Sequence, residues 1–149
     1  MLNVLSVFSV LSATVRYQKL TIMTENELAA IAVDICYKIH TTLGPGLLES
    51  VYEAAFAYEL DKRNISYTRQ QGVIAKYEEI ILDVGFRADI IMENKLIVEI
   101  KSIEALEKIH HKIVLTYLKL TGIKLALLVN FNVELVKNGI HRKIAGQLS

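Results

Sequence analysis

From Thr24 onward apolar side chains recur at helical spacing. Leu28, Ile31, Ala32, Ile35 and Ile39 form a stripe that predicts an amphipathic helix. Thr24-Glu25-Asn26-Glu27 just ahead of it has the form of a capping box, in which the threonine hydroxyl bonds the Glu27 backbone and the glutamate reaches back. Gly44-Pro45-Gly46 cannot continue a helix and should end this one. A second helix is predicted from about Leu47 to Arg63, with Leu48, Val51, Tyr52, Ala55 and Leu60 on its inner face. The period then changes. Tyr67 to Ala75, Glu79 to Phe86, Ala88 to Met92 and Leu96 to Ile100 read as strands, rich in β-branched residues and broken by Gly72 and Gly85. A third helix is predicted over about Glu104 to Thr121, stopping at Gly122. The continuous apolar run KLALLVNF, 124–131, predicts a strand covered on both faces. Asn138-Gly139 marks a turn before a short β tail. The order α-α-β-β-β-β-α-β implies an α/β fold with a central mixed β-sheet flanked by helices on both faces.

Composition narrows the classes. With 149 residues, 52% apolar and 22% charged, the chain is long enough for one sizeable core and too short for two ordinary ones. The single cysteine, Cys36, leaves no partner for an internal disulfide and no cysteine-based zinc site. It falls at the edge of the first helix's apolar stripe, where it reads as a small buried hydrophobe. The formal net charge of +1 excludes a protein that coats nucleic acid by bulk charge, so any such contact has to come from a local patch.

Residues 1–15 carry no charge. They are too few for a membrane-spanning helix, which takes about 20 apolar residues, and they lack the basic leader of a secretory signal. Residues 1–22 read as an N-terminal extension, disordered or produced by upstream translation, with Met23 the natural start; a weak signal or anchor is the alternative. Without Arg16 and Lys19 the net charge moves from +1 to −1. Residues 23–149 then form a single domain, and a cytoplasmic location is expected.

Within GFRADIIMENKLIVEIKS, residues 85–102, Asp89, Glu99 and Lys101 stand among isoleucines and valines. Burying such groups without partners costs several kcal/mol each, roughly. If Asn94 centres the turn Glu93-Asn94-Lys95, then Ile90 faces Val98, Met92 faces Leu96, and Asp89 falls opposite Glu99. Alternation puts Ile90, Met92, Leu96, Val98 and Ile100 on one face, and Asp89, Ile91, Ile97, Glu99 and Lys101 on the other. Two carboxylates with Cβ atoms roughly 4.5–5.5 Å apart repel, and Lys101 offsets only part of this. A divalent cation, which favours carboxylate oxygens, would resolve the conflict. A solvated face with ordinary acid–lysine pairs is the other reading. A third acid, Glu49, lies in the first turn of the second helix. The helix dipole by itself favours a carboxylate there, but the Gly-Pro-Gly break could also aim Glu49 at the sheet, with Tyr52 on the same side of the helix.

Asp89, nine intervening residues and then Glu99-Ile100-Lys101 resemble the metal-binding signature of the PD-(D/E)xK nuclease superfamily. Gly46-Leu47-Leu48-Glu49-Ser50-Val51-Tyr52 matches the motif for which that superfamily's GxxExxY group is named. The resemblance covers about residues 24–145. It implies a nuclease-like core in which Asp89 and Glu99 hold Mg²⁺ (or Mn²⁺), the Ile100 carbonyl is a further ligand, Lys101 orients or polarises the attacking water, and Glu49 completes the site as a further candidate ligand. The implied activity is metal-dependent hydrolysis of phosphodiester bonds, with nucleic acid as partner (DNA in preference to RNA), no membrane, and a homodimer as one candidate assembly. There is one departure. Related sequences commonly carry a glutamine on the third helix where this chain has Ile113. The alternative function is therefore a catalytically weak or inactive nuclease-fold module that binds nucleic acid or a protein.

Other constellations carry less. Adjacent His110 and His111 diverge on a helix and do not share a metal easily. His40 and His141 have no ligand-like partners in sequence. Basic residues gather at Lys62 and Arg63, at Lys108 and Lys112, at Lys119 and Lys124, and at His141 to Lys143, where a solvated surface is the simpler reading.

Overall fold

The structure, a computed structural model, describes residues 22–149; the extension expected at the N-terminus lies outside the described residues up to residue 21. Two helices come first, α1 (Glu25–Leu43) and α2 (Glu49–Lys62). They are followed by β1 (Tyr67–Tyr77), β2 (Ile80–Met92), β3 (Leu96–Lys101), α3 (Lys108–Thr121), β4 (Leu125–Asn130), a 3₁₀ turn (Val136–Asn138) and β5 (Ile140–Ile144). The five strands form one sheet in the order β1-β2-β3-β4-β5. The β3–β4 pair is parallel and the other pairs are antiparallel. The fold is α/β with a mixed sheet. α1 and α2 cover one face, where Leu28, Ile35, Phe56 and Leu60 meet Ile90, Met92, Leu96, Val98 and Ile100. α3 covers the other, where Val114, Tyr117 and Leu118 meet Ile91, Ile97, Ala126 and Leu128.

Local chemistry accounts for the element ends. The Thr24 capping box forms in both directions, with the Glu27 amide on the Thr24 hydroxyl and the Glu27 carboxylate on the Thr24 amide. Gly44, at φ +69°, ends α1, and Gly46, at φ +92°, follows it in left-handed backbone that favours glycine. The turn after β2 is Glu93-Asn94-Lys95, with both Glu93 and Asn94 at positive φ and the Lys95 amide bonded to the Met92 carbonyl. Its register pairs Ile90 with Val98 and Met92 with Leu96, as the alternation predicted. β4 is buried along its whole length.

Three details differ from the sequence-based expectation. The expected strands 79–86 and 88–92 are halves of one 13-residue strand, β2. The register against β1 shifts between Gly72 and Ile74, and Gly85 takes positive φ within β2, so the pairing is interrupted by a bulge and resumes beyond it. α3 begins at Lys108, later than expected, because residues 103–107 are non-helical and the Ile103 amide and carbonyl are held by the buried Asn130 side chain. On α2, Leu48 and Val51 are exposed, at 74% and 41%. Leu48 precedes the first helical turn, and the buried stripe is Tyr52, Phe56 and Leu60 at i, i+4 spacing.

Candidate active site at the end of the β2–β3 ladder

The β2–β3 pairing stops at Ile90 and Val98. One step beyond, Asp89 and Glu99 face each other where the strands part. The Lys101 carbonyl bonds the Phe131 amide on the β4 side, so the neighbouring Ile100 N–H and C=O point toward β2. Asp89 takes the place of the missing ladder bond, its Oδ2 accepting the Ile100 amide at 2.8 Å. Its Oδ1 accepts from the Gln70 amide nitrogen at 3.0 Å. Glu99 Oε1 pairs with Lys101 Nζ at 2.9 Å, and that ammonium also donates to the Ile100 carbonyl at 3.3 Å. Glu99 Oε2 is buried with no hydrogen-bond partner.

The electrostatics follow from burial. Glu99 is 4% exposed. Its pKa is pushed up to about 7, first by loss of solvent and then by the facing Asp89 charge, with Lys101 opposing. Asp89 is raised for the same first reason, against the Ile100 amide, Lys101 and Gln70, which favour its charged form. Burial works to lower Lys101, but the carboxylates of Glu99, Glu49 and Asp89 outweigh it and hold the pKa above that of an ordinary lysine. Two acids thus share one nearby ammonium, in a place where solvent screens little.

Glu49 reaches this end of the sheet through a latch. The Tyr52 hydroxyl donates to the Gly44 carbonyl at 2.6 Å and accepts the Leu47 amide at 3.1 Å, and its ring stacks on Phe131 with centroids 4.4 Å apart. The Gly-Pro-Gly loop is thereby tied to α2, and the first turn of the helix sits over the end of β3. Glu49 Oε1 accepts the Ser102 amide at 3.3 Å, and the Ser102 hydroxyl donates to the Leu47 carbonyl. Tyr52 is fully buried; it aims Glu49 and does not itself line the site. Asp89, Glu99 and Lys101 come together, and Glu49 stands to the side of Lys101. Among the described residues, no three His, Cys, Asp or Glu side chains converge on a common point.

Hard oxygen donors suit Mg²⁺ or Mn²⁺. The donors here are two carboxylates short of positive charge, one of them with an orphaned buried oxygen, and the Ile100 main-chain carbonyl, which shares the Lys101 ammonium with Glu99. They fit such an ion.

Three polar residues beside the site had no part in the sequence-based assignment. Glu53, 7% exposed, holds Arg69 Nε at 2.9 Å and the Gln70 amide at 2.7 Å; its signal was its i, i+4 spacing from Glu49. Gln70 lay in a polar run of β1 with nothing to mark it. Tyr117 on α3 donates to the Arg87 carbonyl, and its hydroxyl is raised by burial and by the charges of Glu99 and Asp89. Ile113, one turn earlier on α3, packs against the apolar cluster of this face. Elsewhere, Cys36 is buried and its thiol pushed up by loss of solvent. The His110 ring nitrogen accepts the Glu107 amide, and His111 lies edge-on to His141 with centroids 5.3 Å apart, a neighbour that sequence spacing did not reveal. Lys62 and Arg63 are held by Glu59. Among the described residues, no helix is long and apolar enough to cross a membrane.

Comparison with curated proteins and with solved structures found no match. The family model of the PD-(D/E)XK nuclease superfamily does match, over residues 26–143, a span that takes in α2, the β2–β3 acids and α3, and the chain belongs to that superfamily.

Proposed function

We propose that this protein is a metal-dependent nuclease that hydrolyses phosphodiester bonds of DNA, in preference to RNA, at the end of the β2–β3 ladder. The observation that carries the reading is Glu99, buried, facing Asp89, with one oxygen unpaired. Asp89, Glu99 and the Ile100 carbonyl would hold Mg²⁺ or Mn²⁺, with Glu49 as a further candidate. Such an ion, when bound, lowers the pKa of water and offsets charge developing on phosphate. Lys101 would hold the attacking water or a phosphoryl oxygen, its position kept by Glu99 and the Ile100 carbonyl. The G-x-x-E-x-x-Y stretch supports placing the chain in the GxxExxY group, since here that spacing couples the Tyr52 latch to Glu49.

Purified protein is expected to degrade nucleic acid with Mg²⁺ or Mn²⁺ and to stop with a chelator. Asp89→Ala and Glu99→Ala should each abolish the activity in folded protein. Full activity in both variants would sink the proposal.

A second reading rests on Ile113. Ile113 puts an apolar side chain, packed against the cluster that includes Tyr117, where a glutamine is expected, as in a nuclease-fold module that binds nucleic acid or a protein without cutting. Absence of Mn²⁺ binding at millimolar concentration by calorimetry would favour it.

A further inference from the structure

Gln70 is a non-glycine residue at φ +52° inside a strand, a left-handed conformation that costs an L-residue roughly 1–2 kcal/mol and collects at functional sites. Arg69 pairs with Ile90 and Gln71 with Ala88, so Gln70 is the residue across from Asp89. Ordinary alternation would send the Arg69 and Gln70 side chains to opposite faces. The left-handed residue breaks the alternation, and both reach the buried Glu53. The Gln70 amide nitrogen spans two carboxylates, Glu53 Oε2 at 2.7 Å and Asp89 Oδ1 at 3.0 Å. Ionised carboxylates only accept, so the NH₂ end of the amide is the one that can satisfy both. The Gln70 carbonyl is itself held by Arg87 at 3.1 Å. The kink is therefore anchored through both main chain and side chain.

The geometry points to Gln70, braced by Glu53, as the residue that positions Asp89 for metal binding. With Oδ2 held by the Ile100 amide and Oδ1 by Gln70, both carboxylate oxygens are tethered, which restricts how the group can turn beside Glu99. The inference rests on the metal-binding reading of Asp89 and Glu99. It adds that the strain stored at position 70 serves that site. Outer hydrogen bonds of this kind typically change metal affinity about 10–100-fold.

The test is calorimetric titration of the metal-free protein with MnCl₂, alongside thermal melting in chelator. Gln70→Gly accepts the backbone conformation and deletes the bridge. It should bind Mn²⁺ at least about tenfold more weakly than wild type, with a metal-free melting temperature close to wild type. If glycine at 70 does not fold, Gln70→Asn serves, since asparagine also tolerates left-handed backbone and is one methylene too short to span both carboxylates. Wild-type-like Mn²⁺ affinity in a folded variant would overturn the positioning role and leave the metal site standing. A lowered melting temperature with unchanged affinity would mean that Gln70 is merely structural, which also overturns it. If wild type itself binds no Mn²⁺, the metal reading fails and takes this inference with it.

Discussion

At the scale of the residue, Glu99 is a carboxylate held in a place that disfavours its charge. Burial and the facing Asp89 raise its pKa to about 7, and its second oxygen has no partner. Replacing it by glutamine removes the charge and the repulsion from Asp89 and leaves an acceptor for Lys101. Glu99→Gln should therefore melt above wild type in chelator, by a free-energy difference on the order of 1 kcal/mol. Thermal melts of the two metal-free proteins check this; a clearly lower melting temperature would mean that the Glu99–Lys101 pair stabilises the fold. This pair of acids was legible in sequence. The turn at Asn94 sets the register, and strict alternation then puts Asp89 opposite Glu99. Gln70 was not legible, because nothing in RQQG announces a left-handed residue in mid-strand.

At the scale of the element, Glu59 joins α1 to α2. Its side chain is 8% exposed and meets Lys38, Lys62 and Arg63, while Arg63 continues to Asp34. The Lys38 hydrogen bond, more than Arg63 and Lys62, holds the Glu59 pKa down to about 2, against burial. A pKa lower in the folded than in the unfolded state makes a contribution that is complete above about 4.5 and is lost as pH falls toward 2. Wild type should lose more stability than Glu59→Gln between pH 5 and 2.5, as denaturant melts at the two pH values would show; parallel losses would assign the acid response elsewhere. The capping box gives a second check, since Thr24→Ala should cost about 1 kcal/mol in the same melts. On α3, Ile113→Gln should lower the melting temperature, because Ile113 packs on an apolar cluster. If the missing amide is what limits catalysis, the same change should raise Mn²⁺-dependent cleavage. The element types followed from periodicity, but the inner face of α2 did not. Leu48 and Val51 are as apolar as the residues that are buried, and only docking against the sheet selects Tyr52, Phe56 and Leu60.

At the scale of the whole molecule, a bound ion is expected to register as global stability, since a ligand stabilises the state that binds it by about 2.7 kcal/mol at a hundred times its Kd. Mg²⁺ should raise the melting temperature of wild type and leave Asp89→Asn nearly unmoved. Equal shifts in the two proteins would remove Asp89 from the ligands. The near-neutral chain draws no long-range attraction for nucleic acid from bulk charge, and Lys62 and Arg63 already pair with Glu59.

The sequence by itself determined the class of elements, their order and the pairing of the two acids. Each of these depends on spacing along one strand, helix or hairpin, where the 2.0 and 3.6 residue periods apply directly. The tertiary structure decided what depends on two distant segments meeting. Tyr52 latches the Gly44 loop and stacks on Phe131. Asn130 pins the chain beyond β3. Gln70 and Glu53 converge on Asp89 from β1 and α2. No periodicity encodes these contacts, because a side chain's partner across the fold is set by packing and by the need of each buried polar group for a bond, and neither can be read until the chain has closed on itself.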